Sequence, residues 1–128
     1  MGYEMKLYIG EAHEPSAIDK GKAWFSIVAM IDICKPGYDS EIYKLREMQG
    51  TPAYFFAENG NTKITKDMYK VKLEAIPANA VLEALKKDFR TSKKDYGEGG
   101  YRRFEIAYKT LKAIMSRFSE ISVILYGY

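Results

Sequence analysis

The chain has 128 residues, of which 47% are hydrophobic and 29% are charged, and its formal net charge is +3. This length and composition predict a single globular domain and exclude a chain that is disordered throughout. With only one cysteine, Cys34, and one histidine, His13, the chain has no intramolecular disulfide and no cysteine-based or multi-histidine metal site. We therefore expect no metal, no cofactor and a cytoplasmic location, where cysteines stay reduced.

Positive charge is concentrated between residues 86 and 103, where seven lysines and arginines face three acidic residues. This local excess of +4 leaves the rest of the chain near −1 and favours an anionic small molecule or an acidic protein as partner. The excess is much smaller than the basic stripe of a duplex-DNA binder, so duplex DNA is not an expected partner. No apolar run approaches the ~20 residues of a membrane span, and we expect no membrane partner.

The first part of the chain is dominated by strand patterns. Residues 3–9 alternate apolar and polar side chains, which predicts a half-buried strand, and residues 10–22 predict a long loop. Residues 23–34 are apolar on both faces, which predicts a central strand covered on both sides. Asp32 interrupts one of those faces; a strand end beside solvent is the favoured explanation, and a ligand pocket is the alternative.

The middle of the chain mixes helix and strand signals. Residues 40–48 have helical spacing with Asp39 or Ser40 as N-cap, and a strand is the alternative there. Residues 53–57 predict a strand, and the Asn59-Gly60 pair after it favours a type I′ hairpin turn. The chain then returns over residues 62–64, and residues 69–75 alternate as a further strand.

Two helices and a strand are predicted at the C-terminal end. Pro77 suits the first turn of a helix with an apolar stripe over residues 81–89, residues 91–100 predict a loop, and residues 101–118 give the clearest helix. Residues 121–128 predict a last strand, which we expect to be docked rather than frayed. The fold class is therefore α+β: an antiparallel sheet of about five strands packed on two C-terminal helices, with a final C-terminal strand.

The segment between those helices offers the best candidate site. Glycines at positions 97, 99 and 100 lead into adjacent arginines at a helix start, where free N–H groups and guanidinium forks suit phosphate or carboxylate. The glycines form neither a Walker A motif nor a dinucleotide fingerprint, so alone they indicate only flexibility. The two arginines diverge by about 100° on a helix, so one of them is expected to face a ligand. Tyrosines on either side of the loop can stack on a base.

The predicted hairpin is a second, weaker candidate. Turn chemistry explains Asn59 and Gly60, whereas the two residues after them offer amide and hydroxyl groups suited to a base or ribose. No complete catalytic motif is present, and no catalytic residue is assigned. The candidate ligand-binding residues are Tyr96, Gly99, Gly100, Tyr101, Arg102, Arg103, Asn61 and Thr62.

These patterns favour a non-enzymatic protein that binds a phosphate-bearing small molecule, such as a nucleotide or a nucleotide-derived signal. It would act by sequestration or sensing, in the manner of small phage proteins that blunt host defence, an analogy of size and class only. The alternative is a protein–protein interaction module or an inhibitor of an acidic partner. A single-stranded nucleic-acid binder using the aromatic run at residues 54–56 ranks lower, and an enzyme ranks last. Eleven tyrosines also leave a homo-oligomer open.

Overall fold

The computed structural model describes residues 3–15, 17–18, 20–98 and 101–128. The described residues form an α+β arrangement of six strands and three α-helices, which confirms the predicted fold class. A short 3-10 turn follows the first helix at Leu45–Glu47. The strands are β1 (Met5–Ala12), β2 (Ala23–Cys34), β3 (Thr51–Phe56), β4 (Lys63–Ile64), β5 (Glu74–Pro77) and β6 (Ser122–Gly127), and the helices are α1 (Glu41–Lys44), α2 (Ala78–Tyr96) and α3 (Arg102–Met115).

The strands form one sheet in the order β2-β1-β6-β5-β3-β4, in which each neighbouring pair is antiparallel. The sheet also curls until the beginning of β2 meets β3 in a short parallel contact at Ala23 and Trp24. The C-terminal strand β6 lies between β1 and β5, so the last residues of the chain are docked within its own sheet. The main chain of Tyr128 extends this docking through hydrogen bonds with Glu4 of 2.9 and 3.2 Å.

Each face of the sheet carries its own apolar core because strand side chains alternate between faces. The larger core lies between the sheet and the helices, and the smaller one lies on the face that the curled sheet partly encloses. In β6, for example, Val123 and Leu125 point to the helices, whereas Ile124 joins the enclosed core. The helix-side core includes Met5, Leu7, Ile9, Ile42, Val81, Leu85, Phe104, Ala107 and Leu111, and the enclosed core includes Phe25, Ala53, Phe55, Leu73 and Ala75.

The predicted loop at residues 10–22 is too long, because β1 continues to Ala12. Gly10 permits this continuation at a shift in the β1–β2 register. A Cβ atom on Gly10 would lie 2.1 Å from the carbonyl oxygen of Ser26, so only glycine fits this close approach of the two backbones.

The prediction that residues 23–34 form a strand is confirmed, but the prediction that this strand is central is wrong. Strand β2 lies at the end of the sheet order, and β3 contacts it only at its first two residues. The side chains of Ile27, Val28 and Met30 are consequently 41%, 39% and 48% exposed. The sequence pattern predicted the apolar character of this strand correctly. It gave no indication that, among the described strands, none pairs with most of its outer edge.

The helices differ from their predictions mainly in length. Residues 40–48 do form a helical segment, which begins at α1 with Ser40 as N-cap, since the hydroxyl of Ser40 accepts a hydrogen bond from the Tyr43 N–H. Helix α2 continues to Tyr96, so most of the predicted loop at residues 91–100 is helical. Helix α3 covers the predicted 101–118 segment except its ends. Over the described chain, no helix has the length and apolar composition needed to cross a bilayer.

Two predictions in the middle of the chain need correction. The strand predicted at residues 69–75 lies instead at β5, because Asp67 folds the preceding segment into a tight turn by accepting the N–H groups of Tyr69 and Val71. The hairpin between β3 and β4 exists, but it is not a type I′ turn. Only Gly60 has a positive φ there, of 76°, whereas type I′ also requires one at Asn59.

Candidate functional site

A cleft of about 720 Å³ lies between the turn that follows β2, the C-terminal half of α2 and the first turn of α3. This volume falls within the usual range of small-molecule sites. Three aromatic rings contribute to its wall, and two of them, Tyr96 and Tyr101, are residues that the sequence singled out. Its lining residues are Lys35, Pro36, Gly37, Asp39, Ser40, Glu41, Asp88, Thr91, Ser92, Asp95, Tyr96, Tyr101 and Phe104.

Asp88 builds one side of this cleft by joining α2 to α1. Its carboxylate oxygens accept hydrogen bonds from the main-chain N–H groups of Glu41 and Ile42, at 2.8 and 2.9 Å. The side chain is only 5% exposed, and this burial raises the pKa of Asp88 despite the two N–H donors. The first turn of α1 is thus held by a side chain 46 to 47 positions away in the sequence.

Ser92 and Tyr101 position the opposite side of the cleft. The buried hydroxyl of Ser92 accepts a short hydrogen bond from the main-chain N–H of Tyr101, which ties α2 to the residue that precedes α3. The Tyr101 hydroxyl donates to the carbonyl oxygen of Ile33 at 2.7 Å, and burial raises the pKa of this hydroxyl. The Tyr101 ring also packs edge-on against Phe104, with centroids 5.0 Å apart. The ring is therefore fixed at the cleft wall.

The two predicted arginines have different roles. The guanidinium of Arg103 donates to the main-chain carbonyl of Asp32 at 2.8 Å, so this side chain fastens α3 to the end of β2. Arg102 is exposed, and none of the hydrogen bonds or ion pairs among the described residues involves it. The expectation that one arginine is available to a ligand and the other is not therefore points to Arg102.

The remaining predicted site residues are not gathered at one place. Gly99 and Gly100 lie outside the described residues. Asn61 and Thr62 are exposed, and both donate main-chain N–H groups to the side chain of Asn59, which is local turn chemistry. Neither residue lines the cleft, so we do not include the hairpin in the site.

The aromatic run at residues 54–56 does not form a stacking platform. Tyr54 and Phe55 are 5% and 6% exposed, and only Phe56 reaches the surface, where 39% of it is exposed. Phe55 belongs to the enclosed core, and its ring packs 4.6 Å from that of Tyr8. These rings pack within the curled sheet, and of the three only Phe56 offers exposed area on which a base could stack.

The electrostatics of the cleft differ from the sequence expectation. Four carboxyl groups line it, and Lys35 is the one basic side chain in its lining. The carboxylate of Glu41 is partly compensated by an ion pair of 3.8 Å with Lys44, and that of Asp88 is engaged by N–H donors. The exposed carboxylates of Asp39 and Asp95 therefore give the cleft hydrogen-bond acceptors, alongside the single amine of Lys35, and neither Arg102 nor Arg103 is among its lining residues.

The side chains of Asp32 and Tyr128 form a hydrogen-bonded pair near the cleft, which we call the latch. It lies next to the carbonyl groups of Ile33 and Asp32, which accept hydrogen bonds from Tyr101 and Arg103. The Tyr128 hydroxyl lies 2.6 Å from both oxygens of the Asp32 carboxylate, and the Cys34 N–H donates to the same carboxylate at 2.8 Å. Burial alone would raise the pKa of Asp32, but these hydrogen bonds outweigh it and lower the pKa below 3.8. Asp32 is thus the strand-end residue that the sequence favoured, and its carboxylate anchors the C-terminal residue.

This latch predicts an acid-sensitive contribution to stability. Because the folded-state pKa of Asp32 is lowered, its stabilising effect is present above the unfolded value of 3.8 and is lost as the pH falls through the folded value. We expect Tyr128→Phe to lower the free energy of unfolding by about 1–2 kcal/mol at pH 7, with a smaller difference at pH 3. Urea denaturation of both proteins at each pH measures this, and a difference independent of pH would contradict it.

Two residues of the cleft, Asp88 and Ser92, could have been identified from the sequence. The apolar stripe of α2 continues at helical spacing from Val81 and Leu85 to Asp88 and Ser92, and all four side chains are buried. A polar continuation of a buried stripe indicates a residue that makes specific hydrogen bonds inside the fold. Lys35 and Asp39 carry no comparable signal, because only the tertiary fold brings the turn after β2 next to α2.

The cleft thus combines aromatic walls with acceptor groups and one lysine, which suits a small polar molecule with an aromatic part. Among the described residues, no group of three or more histidine, cysteine, aspartate or glutamate side chains is arranged to hold a metal ion. Comparison of the chain with protein-family models, with curated proteins and with solved structures gave no significant match.

Proposed function

We propose that this protein binds a phosphate-bearing small molecule, of the nucleotide or nucleotide-derived class, in the cleft between the turn after β2 and helices α2 and α3. The observation that carries the proposal is the cleft of about 720 Å³ with the rings of Tyr96 and Tyr101 in its wall. Arg102 does not line the cleft, but it follows Tyr101 directly in the chain, and its guanidinium makes no hydrogen bond or ion pair with another described residue, so it can supply charge for a phosphate.

The charges of the cleft support one orientation of such a ligand. The exposed carboxylates of Asp39 and Asp95 can accept hydrogen bonds from ribose hydroxyls, while they repel a phosphate placed beside them. A base gains about 1–3 kcal/mol by stacking on an aromatic side chain. The nucleoside part therefore belongs beside the aromatic rings and these carboxylates, and the phosphate belongs near Lys35 and toward Arg102.

We further propose that the ligand is bound without being converted, so that the protein acts by sequestration or sensing. The buried polar side chains of the cleft already have structural hydrogen bonds. Ser40 donates to the carbonyl of Gly37, Ser92 accepts from Tyr101, and Asp88 holds the start of α1. Each of these groups supports the wall of the cleft, which is consistent with a binding site rather than a catalytic one.

The test is a thermal-shift screen with nucleoside mono-, di- and triphosphates, cyclic nucleotides and dinucleotides, followed by calorimetric titration of the best compound. We expect Arg102→Ala to weaken binding about 10- to 100-fold, since it removes one charge-assisted contact. Arg117→Ala is the matched control, because it removes the same charge from the exposed segment after α3, and it should bind normally. Binding should also weaken as salt is raised.

The proposal fails if no compound of the panel shifts the intact protein, or if Arg117→Ala weakens binding as much as Arg102→Ala. In the first case the alternative, a basic segment that engages an acidic protein, becomes the favoured function. Titration against an acidic protein or a polyglutamate peptide would then show the same dependence on Arg102.

A further inference from the structure

The outer edge of β2 is free over a defined stretch. β1 pairs with β2 along almost its whole length, but β3 pairs with it only at Ala23 and Trp24. At the other end, the side chains of Tyr101 and Arg103 occupy the carbonyls of Ile33 and Asp32. Residues 25–31 lie between these two contacts, and no strand of the described chain pairs with their outer edge. Seven residues span about 23 Å, which is the length of an ordinary strand.

This stretch lacks the usual protection of a sheet edge. Exposed edge strands normally carry charges or proline, or are covered, since a free edge pairs with other chains. From residue 23 to residue 31 there is no charged residue and no proline, although 29% of the chain is charged. Ile27, Val28 and Met30 are instead each about 40–50% exposed along it. Ile106 on α3, a helix that contacts β2, is also an exposed apolar side chain, 55% exposed.

We propose that a second copy of this chain covers the free edge of β2, through a two-fold contact in which residues 25–31 of both copies face each other. A two-fold contact uses the same surface on each copy, so two uncharged stretches of equal length meet without opposing like charges. In the antiparallel arrangement that such an axis imposes, residues 25–31 of one copy run against the same residues of the other in reverse order, so no charged side chain lies within the contact.

A foreign extended peptide would cover one such edge, whereas a second copy covers the unpaired edges of both chains in a single contact, which favours the second copy. The contact is independent of the proposed ligand, since none of Ile27, Val28 and Met30 lines the cleft. It lies close to the cleft all the same, because Asp32 and Ile33 on the same strand hold Arg103 and Tyr101.

The experiment is sedimentation velocity of the full chain from 5 to 500 µM, a range that brackets a micromolar association (roughly −8 kcal/mol). We expect the mass of a dimer at high concentration and a monomer for Val28→Lys, which places two like charges across the axis. Met68→Lys is the matched control: Met68 is 71% exposed on a different segment, so this variant should dimerise like the wild type. A wild type that stays monomeric, a Val28→Lys protein that still dimerises, or a Met68→Lys protein that does not would each overturn the proposal.

A second measurement on the unaltered protein covers the case in which Val28→Lys does not fold. Amide hydrogen exchange at 5 and 500 µM should show slower exchange at the higher concentration in the peptide that spans residues 25–31. Exchange in the β3–β4 hairpin should not change. Equal exchange at both concentrations in residues 25–31, in a protein that sedimentation shows to be dimeric, would place the interface elsewhere and overturn the proposal.

Discussion

Replacing Asp88 by alanine should lower the free energy of unfolding by about 2–4 kcal/mol. The substitution leaves the N–H groups of Glu41 and Ile42 without their acceptor, and hydrogen bonds to a charged partner contribute about 1.5–3 kcal/mol each. Only part of this sum is expected, because the Glu41 N–H is partly accessible to water. For a chain of this size the loss corresponds to a decrease in Tm of roughly 6–20 °C.

Thermal and urea denaturation followed by circular dichroism measure this effect. Asp95→Ala is the matched control, because Asp95 lies on the same helix and in the same cleft but is exposed, and its removal should change stability by less than about 0.5 kcal/mol. The free energy of unfolding of Asp88→Asn should fall between those of the two alanine variants, since an amide oxygen still accepts a hydrogen bond from one N–H group. If Asp88→Ala is as stable as Asp95→Ala, the carboxylate does not hold α1 in the way described.

Replacing Tyr101 by alanine should abolish most ligand binding, with a loss of about 10- to 100-fold in affinity. The alanine removes the fixed ring at the cleft wall, and stacking on one aromatic ring contributes about 1–3 kcal/mol. Tyr101→Phe separates this role from the structural one. It keeps the ring and its edge-on contact with Phe104 but removes the hydrogen bond to the Ile33 carbonyl.

We expect Tyr101→Phe to bind the ligand almost normally and to lose about 1 kcal/mol of stability. Isothermal titration with the compound that stabilises the wild type most, together with denaturation of each variant, measures both quantities. Equal affinity of Tyr101→Ala and the wild type would mean that the ring is only a structural support. A Phe variant as weak as the Ala variant would assign recognition to the hydroxyl instead.

The fold class was predictable because each helix and most strands carry a local pattern. The stripe that includes Phe104, Ala107 and Leu111 repeats at helical spacing, and all three side chains are buried in α3. The position of β2 was not predictable in the same way. Its apolar side chains are visible in the sequence, but whether a strand is central or at an edge depends on the order of strands in the sheet, which no local pattern encodes.

The helix that extends into the predicted loop shows a related limit. The apolar stripe of α2 stops after Phe89, so residues 91–96 lacked the pattern that predicts a helix. The helix continues because Ser92 is buried and ties the next segment down through Tyr101, a contact between residues nine positions apart. Polar side chains such as Ser92, which stabilise a helix by tertiary hydrogen bonds, add nothing to the hydrophobic periodicity from which a helix is predicted.

The candidate site was predicted in part. The sequence pointed to Tyr96 and Tyr101 through their position beside the glycines, and both line the cleft. It also named both arginines and expected one of them to face a ligand, whereas Arg103 donates to the Asp32 carbonyl and neither arginine lines the cleft. The carboxylates of the cleft come from segments about fifty residues apart, so their convergence depends on the tertiary fold and could not be seen in the sequence.

The most direct test of ligand binding in this cleft is a native mass spectrum of the protein purified from cells, recorded beside Tyr101→Ala prepared in the same way. We expect the wild type to carry an additional mass of a few hundred daltons, released on denaturation as a phosphorus-containing compound, and the variant to lack it. An equal adduct on both proteins, or an adduct without phosphorus, would contradict the proposed site or the proposed class of ligand.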